Sequence, residues 1–599
     1  MKKPVSILTL LVAVFVVYAP ALGNGLVWDD TALILRDPLI RSWRLIPEGF
    51  QHFLFTDATA SDFYRPLQRL SYTMEYWAVG VRPALYHFTS ILCHAGAALA
   101  LLLFANEFLR RFETADRRRR LVAFAAALVW AVHPIHTSAV AYVAGRADPL
   151  AAFFGFLGLY FGLKSDRVTD RGGVWVRSIA VATLFLCSIL SKEIGFLFPL
   201  LWLAVLVIQK NWRTCLRWAA VVLAVAVVYA SLRVPAQHIP APQIHSPPPP
   251  LVRPIIASRA VAEYAALLVF PWNLHVERDL ETHPTGPTPA NAARAAWREL
   301  ETLAGIVLLA AAIFWALRAR KRERPIFTLL ILAAIAYLPI SGGVLLNAAM
   351  AEHWVYVPSA FLFLAAGLEI ARVAENKLFL RRALAIALPA WLIFLGLRTF
   401  ARTFDWKDER TFYERTIAAG GDSARMLIDL AIVEMNHREF DAAKKHLDEA
   451  LTKEPDHPIA ILQRGALAIR QQDYKAAHEF LDRAAQLPVV EPQAQELRVV
   501  LANKETGQVD LLRMRLASRT GPPNWEIEKR YVRLLAESGM VPAAIAELQA
   551  TLKSEPYRAE SWQLLGELYE RTGSKVAAAE AFAHARACDV HLSQRPRVL

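Results

Sequence analysis

Only four cysteines occur among 599 residues. Cys93, Cys187 and Cys215 lie in or beside apolar runs, and Cys588 stands near the C-terminus. No metal-ligand spacing and no disulfide framework emerges, so cysteine usage says nothing about compartment. No glycine-rich, nucleotide-binding loop is apparent. After about residue 400 there is no apolar run of the roughly 20 residues that a spanning helix needs. The net charge of +13 does not form a nucleic-acid patch, because much of it falls in short loops between apolar runs.

The apolar content is high. Hydrophobic residues make up 55% of the chain and mean hydropathy is +0.29, too apolar for a soluble protein of this size. Apolar windows predict spans near 5–22, 84–106, 121–133, 150–163, 178–190, 194–208, 216–234, 300–317, 326–340, 357–371 and 383–400, about 11 in all. The expected fold is all-α: a polytopic membrane domain over 1–400, a linker over 401–423, a helical-repeat solenoid over 424–592 and a tail over 593–599.

Alternate connections are basic. Loop 110–120 carries six Lys/Arg and 318–324 carries five. The short opposite loops 134–149, 191–193 and 341–356 hold only Arg146 and Lys192. The positive-inside rule makes the basic set cytoplasmic. Lys2 and Lys3 place the N-terminus inside, with the first span a retained anchor. Residues 23–83 and everything after 400 are then extracytoplasmic. A span at 255–275 would break the alternation, so that stretch is read as re-entrant or interfacial.

The tail is periodic. Ala443/Ala477, Leu447/Leu481 and Ala450/Ala484 are each 34 residues apart, the tetratricopeptide period. Trp562, Leu565, Gly566, Tyr569, Ala578, Phe582 and Ala585 occupy the corresponding places in 559–592, and Ala544, Leu548 and Pro556 those of 525–558. The degenerate stretch 492–524 is read as one more helix pair, giving about five. Such a solenoid binds peptide or protein.

Chemistry-bearing residues cluster on the outward loops. Asp29 and Asp30 follow the first span and precede an aromatic-rich, interfacial stretch. Adjacent carboxylates disfavour double ionisation, which suits a general base; a helix N-cap is the structural alternative. Lys192 and Glu193 interrupt an apolar stretch, 178–208. Lys192 suits a phosphate, or it merely snorkels. Arg65 is suited to bidentate phosphate binding or to a loop-fastening ion pair. Pro134 separates His133 from His136, which argues for a hydrogen-bonded site wall over metal. Arg146 and Asp148 either pair with each other or line a sugar site. Mid-span His94 suits an interhelical hydrogen bond.

These residues also stand in order. Val27-Trp28-Asp29-Asp30, Tyr64-Arg65-Pro66-Leu67, Tyr86-His87 with His94, and His133-Pro134-Ile135-His136-Thr137 are followed by Gly145-Arg146-Ala147-Asp148. Then come Leu190-Ser191-Lys192-Glu193-Ile194-Gly195, Ala351-Glu352-His353-Trp354-Val355-Tyr356-Val357-Pro358-Ser359, and Trp406 with Tyr413. This series resembles the transmembrane-and-tetratricopeptide O-mannosyltransferases across nearly the whole chain. Glu352-His353 departs from the family, where arginine usually follows the glutamate, which puts phosphate binding by His353 in doubt.

The resemblance implies a C-type glycosyltransferase that inverts configuration. A sugar, mannose or another hexose, would pass from a polyprenyl-phosphate carrier to Ser or Thr hydroxyls of an extracytoplasmic protein. It implies Asp29 and Asp30 as catalytic residues and Lys192, Arg65 and His353 as donor-phosphate ligands. Glu193, His133, His136, Arg146, Asp148, His87 and Glu352 would form the site wall. No cofactor or metal is expected, the lipid-linked sugar being a substrate. The expected partners are the bilayer, the lipid donor and an acceptor polypeptide held by the repeats. Composition suggests a bacterial inner membrane. Two rival readings are a transferase acting on a lipid or glycan, with repeats that recruit a partner enzyme, and a non-enzymatic scaffold.

Overall fold

The computed structural model describes residues 3–594 apart from 57–61, 113–114, 166–170, 238–248, 279, 281–288, 344–347, 376 and 520–523. The described part is helical; the β pairing found there is one isolated bridge, His52 with Gln237. Parts of the loops 23–83, 110–120, 164–177 and 341–356, of the Pro-rich stretch 235–254 and of the repeat stretch 492–524 lie outside the described residues, as does most of the tail 593–599.

The chain divides into two compact units. The first comprises Met1–Val27, Pro83–Ser231 and Ser246–Gly421 and holds the apolar helices. Among the described residues, seven helices are long and apolar enough to cross a membrane: Pro4–Gly23, Pro83–Arg111, Gly173–Ser191, Trp212–Arg233, Ala295–Arg322, Glu352–Ala374 and Leu378–Trp406. The pair Asp116–Val132 and Pro134–Val140, bent by 51°, makes an eighth if it is one span. The bend has a local cause, since Pro134 lacks the N–H that would continue the ladder.

The other expected spans take shorter or more polar form. Glu193–Ile208 and Arg324–Ile340 are apolar helices of fewer than 18 residues. Ala147–Ser165 has 19 residues and carries Asp148 and Lys164 in its end turns. The stretch near 255–275 forms Arg253–Val269, which is not among the helices long and apolar enough to span. It carries the buried Arg259, bonded to Leu280 O at 2.9 Å and Thr302 Oγ1 at 3.0 Å.

Burial sorts these helices. In Pro83–Arg111, 61% of the most apolar window is buried, against 6% in Leu378–Trp406. The first is therefore a core helix of the bundle. The second, with Ala295–Arg322, exposes Leu303, Ile306, Val307, Ile313, Phe314, Ile386, Ile393 and Leu397. Exposed aliphatic rows with every backbone bond satisfied inside the helix are what a hydrocarbon solvent demands.

The second unit comprises Trp28–Arg82, Leu232–His245 and Asp422–Leu599. Five helix pairs follow one another: Ala424–Asn436 with Phe440–Lys453, Pro458–Arg470 with Tyr474–Ala484, Glu491–Thr506 with Leu511–Arg519, Trp525–Glu537 with Val541–Ser554, and Ala559–Arg571 with Lys575–Cys588. Ala443, Leu447, Ala450, Ala477, Leu481 and Ala484 are fully buried. Small residues let paired helices approach, and the leucines fill the space between. Side chains also cap several starts: Ser423, Asp473 and Asn524 each accept a backbone N–H of the following helix, worth about 1 kcal/mol apiece.

One carboxyl in this array titrates abnormally. Burial, reinforced by Glu555, pushes Glu528 up to about 7, and Thr551 donates its hydroxyl to it. The folded array thus holds a proton that the unfolded chain, titrating near 4.5, releases. Stability from this group is complete below pH about 4.5 and falls as pH rises through 7. Amide exchange within Trp525–Glu537 of the full chain should accelerate across that window, and Glu528→Gln should flatten the dependence. An identical pH profile in the variant would remove Glu528 as its cause.

Candidate functional site

The turn after the first span begins with a backbone exception. Trp28 adopts φ +55°, a region that a bulky L-residue enters only when its surroundings hold it there. Asp29 follows half-buried, whereas Asp30 is fully buried. Asp30 stands at the N-cap of the short helix Thr31–Arg36 yet makes no side-chain capping bond. The helix-cap alternative for Asp30 is therefore not the observed arrangement. The two residues differ in burial: Asp29 is partly exposed and Asp30 is not.

The rest of that loop is fastened by a pair with no sequence signal. Asp37, buried, accepts Arg69 Nε–H at 2.9 Å and Leu39 N–H at 2.9 Å. Arg69 also donates to Gly49 O at 2.8 Å, His52 O at 3.0 Å and Phe53 O at 2.6 Å. One guanidinium thus closes four separate points of the loop, since its donors are fixed in a planar fork. Arg65 precedes the helix Pro66–Val79 and stacks its guanidinium over Phe63 at 4.4 Å.

In the first unit, two distant motifs meet. Lys192 follows the helix Arg171–Ser191 with an extended backbone. Its ammonium donates to Asp148 Oδ2 at 2.7 Å; the two side chains are 14% and 2% exposed. Asp148 comes from the first turn of Ala147–Ser165. An ammonium carries three donors, and the carboxylate accepts one of them and so orients the group. Glu193 opens the 3-10 turn Glu193–Phe196, closed by Gly195 N–H on Lys192 O at 2.9 Å. A Cβ at Gly195 would collide with Ser188 and Ile189 backbone atoms, and one at Gly145 with the Ser138 carbonyl. Both motif glycines are therefore required by close backbone approach. Gly195→Ala should displace the Lys192 turn and lower any Lys192-dependent anion binding at least tenfold, as read by titration of a lipid phosphate; unchanged binding would show that the turn does not set the ammonium.

Arg146 is fully buried and donates to Ser90 Oγ at 3.1 Å and Tyr86 O at 2.5 Å. Asp148 thus carries Lys192, while these bonds direct Arg146 towards the Pro83–Arg111 helix. His87 on that helix donates Nε2–H to Gly25 O at 3.0 Å.

The histidines form a buried polar knot. His94 donates Nε2–H to Ala131 O at 2.9 Å and accepts the Tyr356 hydroxyl at Nδ1 at 2.6 Å. His136 donates Nδ1–H to Trp130 O at 2.9 Å and meets the Ser359 hydroxyl at Nε2 at 3.2 Å. His133 donates Nε2–H to Leu268 O at 3.2 Å and accepts Ile135 N–H at 3.3 Å. Carbonyl partners fix each tautomer, and the remaining nitrogen of each ring is engaged too. Among the described residues no group of three or more His, Cys, Asp or Glu could hold a metal ion.

Glu352 is buried between two guanidiniums that sequence reasoning did not single out. Arg278 and Arg402 approach it at 3.6 and 3.7 Å, and Arg402 donates to Asp405 at 2.6 Å. His353 is half-buried, its ring 6.4 Å from that of Trp354. Neither had a sequence signal: Arg402 is one of four arginines in Leu378–Thr403 and lies past the expected span 383–400, and Arg278 stands in no motif. Trp406 and Tyr413 are buried, with Trp406 stacked on Tyr142 at 5.0 Å.

A tetratricopeptide-repeat family model matches residues 428–489 and 532–589. Among curated proteins, the chain is 25% identical over 488 residues to protein O-mannosyl-transferase TMTC3 of Mus musculus, covering 75% of this chain and 51% of that protein. It is 23% identical over 467 residues to protein O-mannosyl-transferase F38B6.6 of Caenorhabditis elegans, covering 76% and 63%. It is 32% identical over 192 residues to protein O-mannosyl-transferase TMTC1 of Mus musculus, covering 30% and 19%. The chain spans about half the length of TMTC3.

Proposed function

We propose, from the chain's homology to TMTC-type protein O-mannosyl-transferases, that it is an integral membrane glycosyltransferase acting on protein. The donor is a polyprenyl-phosphate-linked sugar, mannose or another hexose, and the acceptor is a Ser or Thr hydroxyl of an extracytoplasmic polypeptide. The observation that carries this reading is the Lys192–Asp148 bond of 2.7 Å. It joins the Gly145–Asp148 and Leu190–Gly195 motifs, which the resemblance named separately, around one oriented cation.

The reaction is a single displacement. The acceptor oxygen attacks the anomeric carbon and inverts it, while the bond from that carbon to the donor's phosphate oxygen breaks and the electron pair leaves with the phosphate. Asp29 takes the hydroxyl proton as general base. Lys192, steadied by Asp148, binds the donor phosphate and offsets its growing charge; Arg65 supplies a second cation. For His353 a phosphate contact requires the protonated imidazole, so its contribution is the weaker. The repeat array binds the acceptor polypeptide, supplying affinity while the small site reads a hydroxyl and its neighbours. On this reading the N-terminus faces the cytoplasm and the repeats face outward, in accord with the positive-inside rule applied to the basic loops.

The test is reconstitution in lipid nanodiscs with a Thr-rich peptide. Polyprenyl-phosphate mannose should support transfer and a nucleotide sugar should not. Transfer from the nucleotide sugar alone would contradict the donor assignment.

A further inference from the structure

Within the second unit, the segment that carries Asp29 and the repeat array are fastened to each other at both ends of the array. At the first repeat, Arg425 opens the helix Ala424–Asn436 and places its guanidinium over the Trp28 ring at 4.8 Å. Trp28 is the residue held at φ +55°, and it directly precedes Asp29. At the last repeat, the buried Tyr76 donates its hydroxyl to Asp589 Oδ1 at 2.8 Å. Val590 N–H bonds to Arg41 O at 3.1 Å. His591 packs edge-on against Tyr76 at 5.2 Å, and His52 meets Tyr557 likewise at 5.3 Å. These contacts connect residues more than 380 positions apart in the sequence.

We infer that the tetratricopeptide array positions the Asp29 turn, with Arg425 and Asp589 as positioning residues at its two ends. The backbone conformation of Trp28 does not maintain itself, because nothing local favours a left-handed tryptophan. A stacked cation on its ring supplies a restraint from outside the loop. The Tyr76–Asp589 bond, made between two buried side chains, restrains the far end of the same segment. The array is on this account part of the catalytic machinery's frame, in addition to any affinity it gives for an acceptor.

The inference rests on the proposed role of Asp29, so its test reads structure and rate separately. Full-length protein in lipid nanodiscs is assayed with polyprenyl-phosphate mannose and a saturating synthetic Thr-rich peptide. Arg425→Met and Asp589→Ala should each lower kcat about tenfold with peptide KM nearly unchanged. Arg425→Lys, which keeps a cation on the ring, and Asp589→Asn, which keeps an acceptor for Tyr76, should recover most of the rate. Amide exchange over residues 28–44 should quicken in the two disruptive variants and return in the two conservative ones. A rise in peptide KM alone, with exchange over 28–44 unchanged, would overturn the inference in favour of simple recruitment. If Asp29→Asn turned over normally the base assignment would fall, and the exchange measurement would still decide the clamp: quickened exchange upholds it and unchanged exchange refutes it.

Discussion

Asp29→Asn is expected to reduce sugar transfer by about 10²–10⁴-fold, the range for loss of a positioned general base, with the protein still folded and inserted. The substitution keeps the side chain's size and removes its charge and its capacity to take a proton. The two neighbours should respond differently. Asp29 is half-buried and Asp30 fully buried, so only the first has access to a substrate hydroxyl from its own surface. Asp30→Asn should act mainly through stability, shifting the thermal midpoint and lowering activity in proportion to the folded fraction. Kinetics and thermal unfolding on the same preparations separate the effects. Equal catalytic losses at unchanged stability would mean that the carboxylates act as a pair.

The second large effect is expected at Lys192. Lys192→Met leaves Asp148, 2% exposed, as a buried carboxylate without its cation. Breaking such a pair from one side costs about 3–5 kcal/mol, and the loss of a charge facing the leaving group costs about 10²–10³-fold in rate. The double variant Lys192→Met/Asp148→Asn should regain most of the stability, because no unpaired charge is then buried. Its activity should stay low, because the phosphate still lacks its partner. Recovery of both together would make the pair a structural strut. Loss of activity in Lys192→Met with unchanged stability would show that water reaches Asp148 freely.

The repeats were legible because helical pairing imposes a period: each Ala443/Ala477-type match is dictated by packing between identical units. The helix pair Glu491–Thr506 and Leu511–Arg519 was legible by position, although the matched repeat-family segments leave it out. Apolar helices were legible wherever a long, mostly uncharged run occurs. They were less so at Ala147–Ser165 and Glu193–Ile208, where the motif residues Asp148 and Glu193 lie within the helical segments themselves.

The site was legible as a set of residue types and motifs, and much less as a set of contacts. Asp148 had Arg146 as its obvious sequence neighbour, yet a turn of 3-10 helix, Ala144–Arg146, precedes Asp148, while Arg146 bonds to Ser90 and Tyr86. Lys192, 44 residues away, bonds to Asp148 instead. The cation–π contact of Arg425 with Trp28 and the Asp37–Arg69 pair connect residues without periodicity or motif. No local pattern encodes such contacts; tertiary closure creates them.

The central claim is that this chain places a hexose on Ser or Thr hydroxyls of proteins outside the cytoplasm, using Asp29 as base. The most direct measurement is site-resolved mass spectrometry of extracytoplasmic proteins from cells carrying either the intact chain or Asp29→Asn at equal membrane abundance. The account predicts hexose-modified Ser and Thr with the intact chain and none above background with the variant. Equal modification in both, or an altered cell-surface glycan with no modified protein in either, would contradict it.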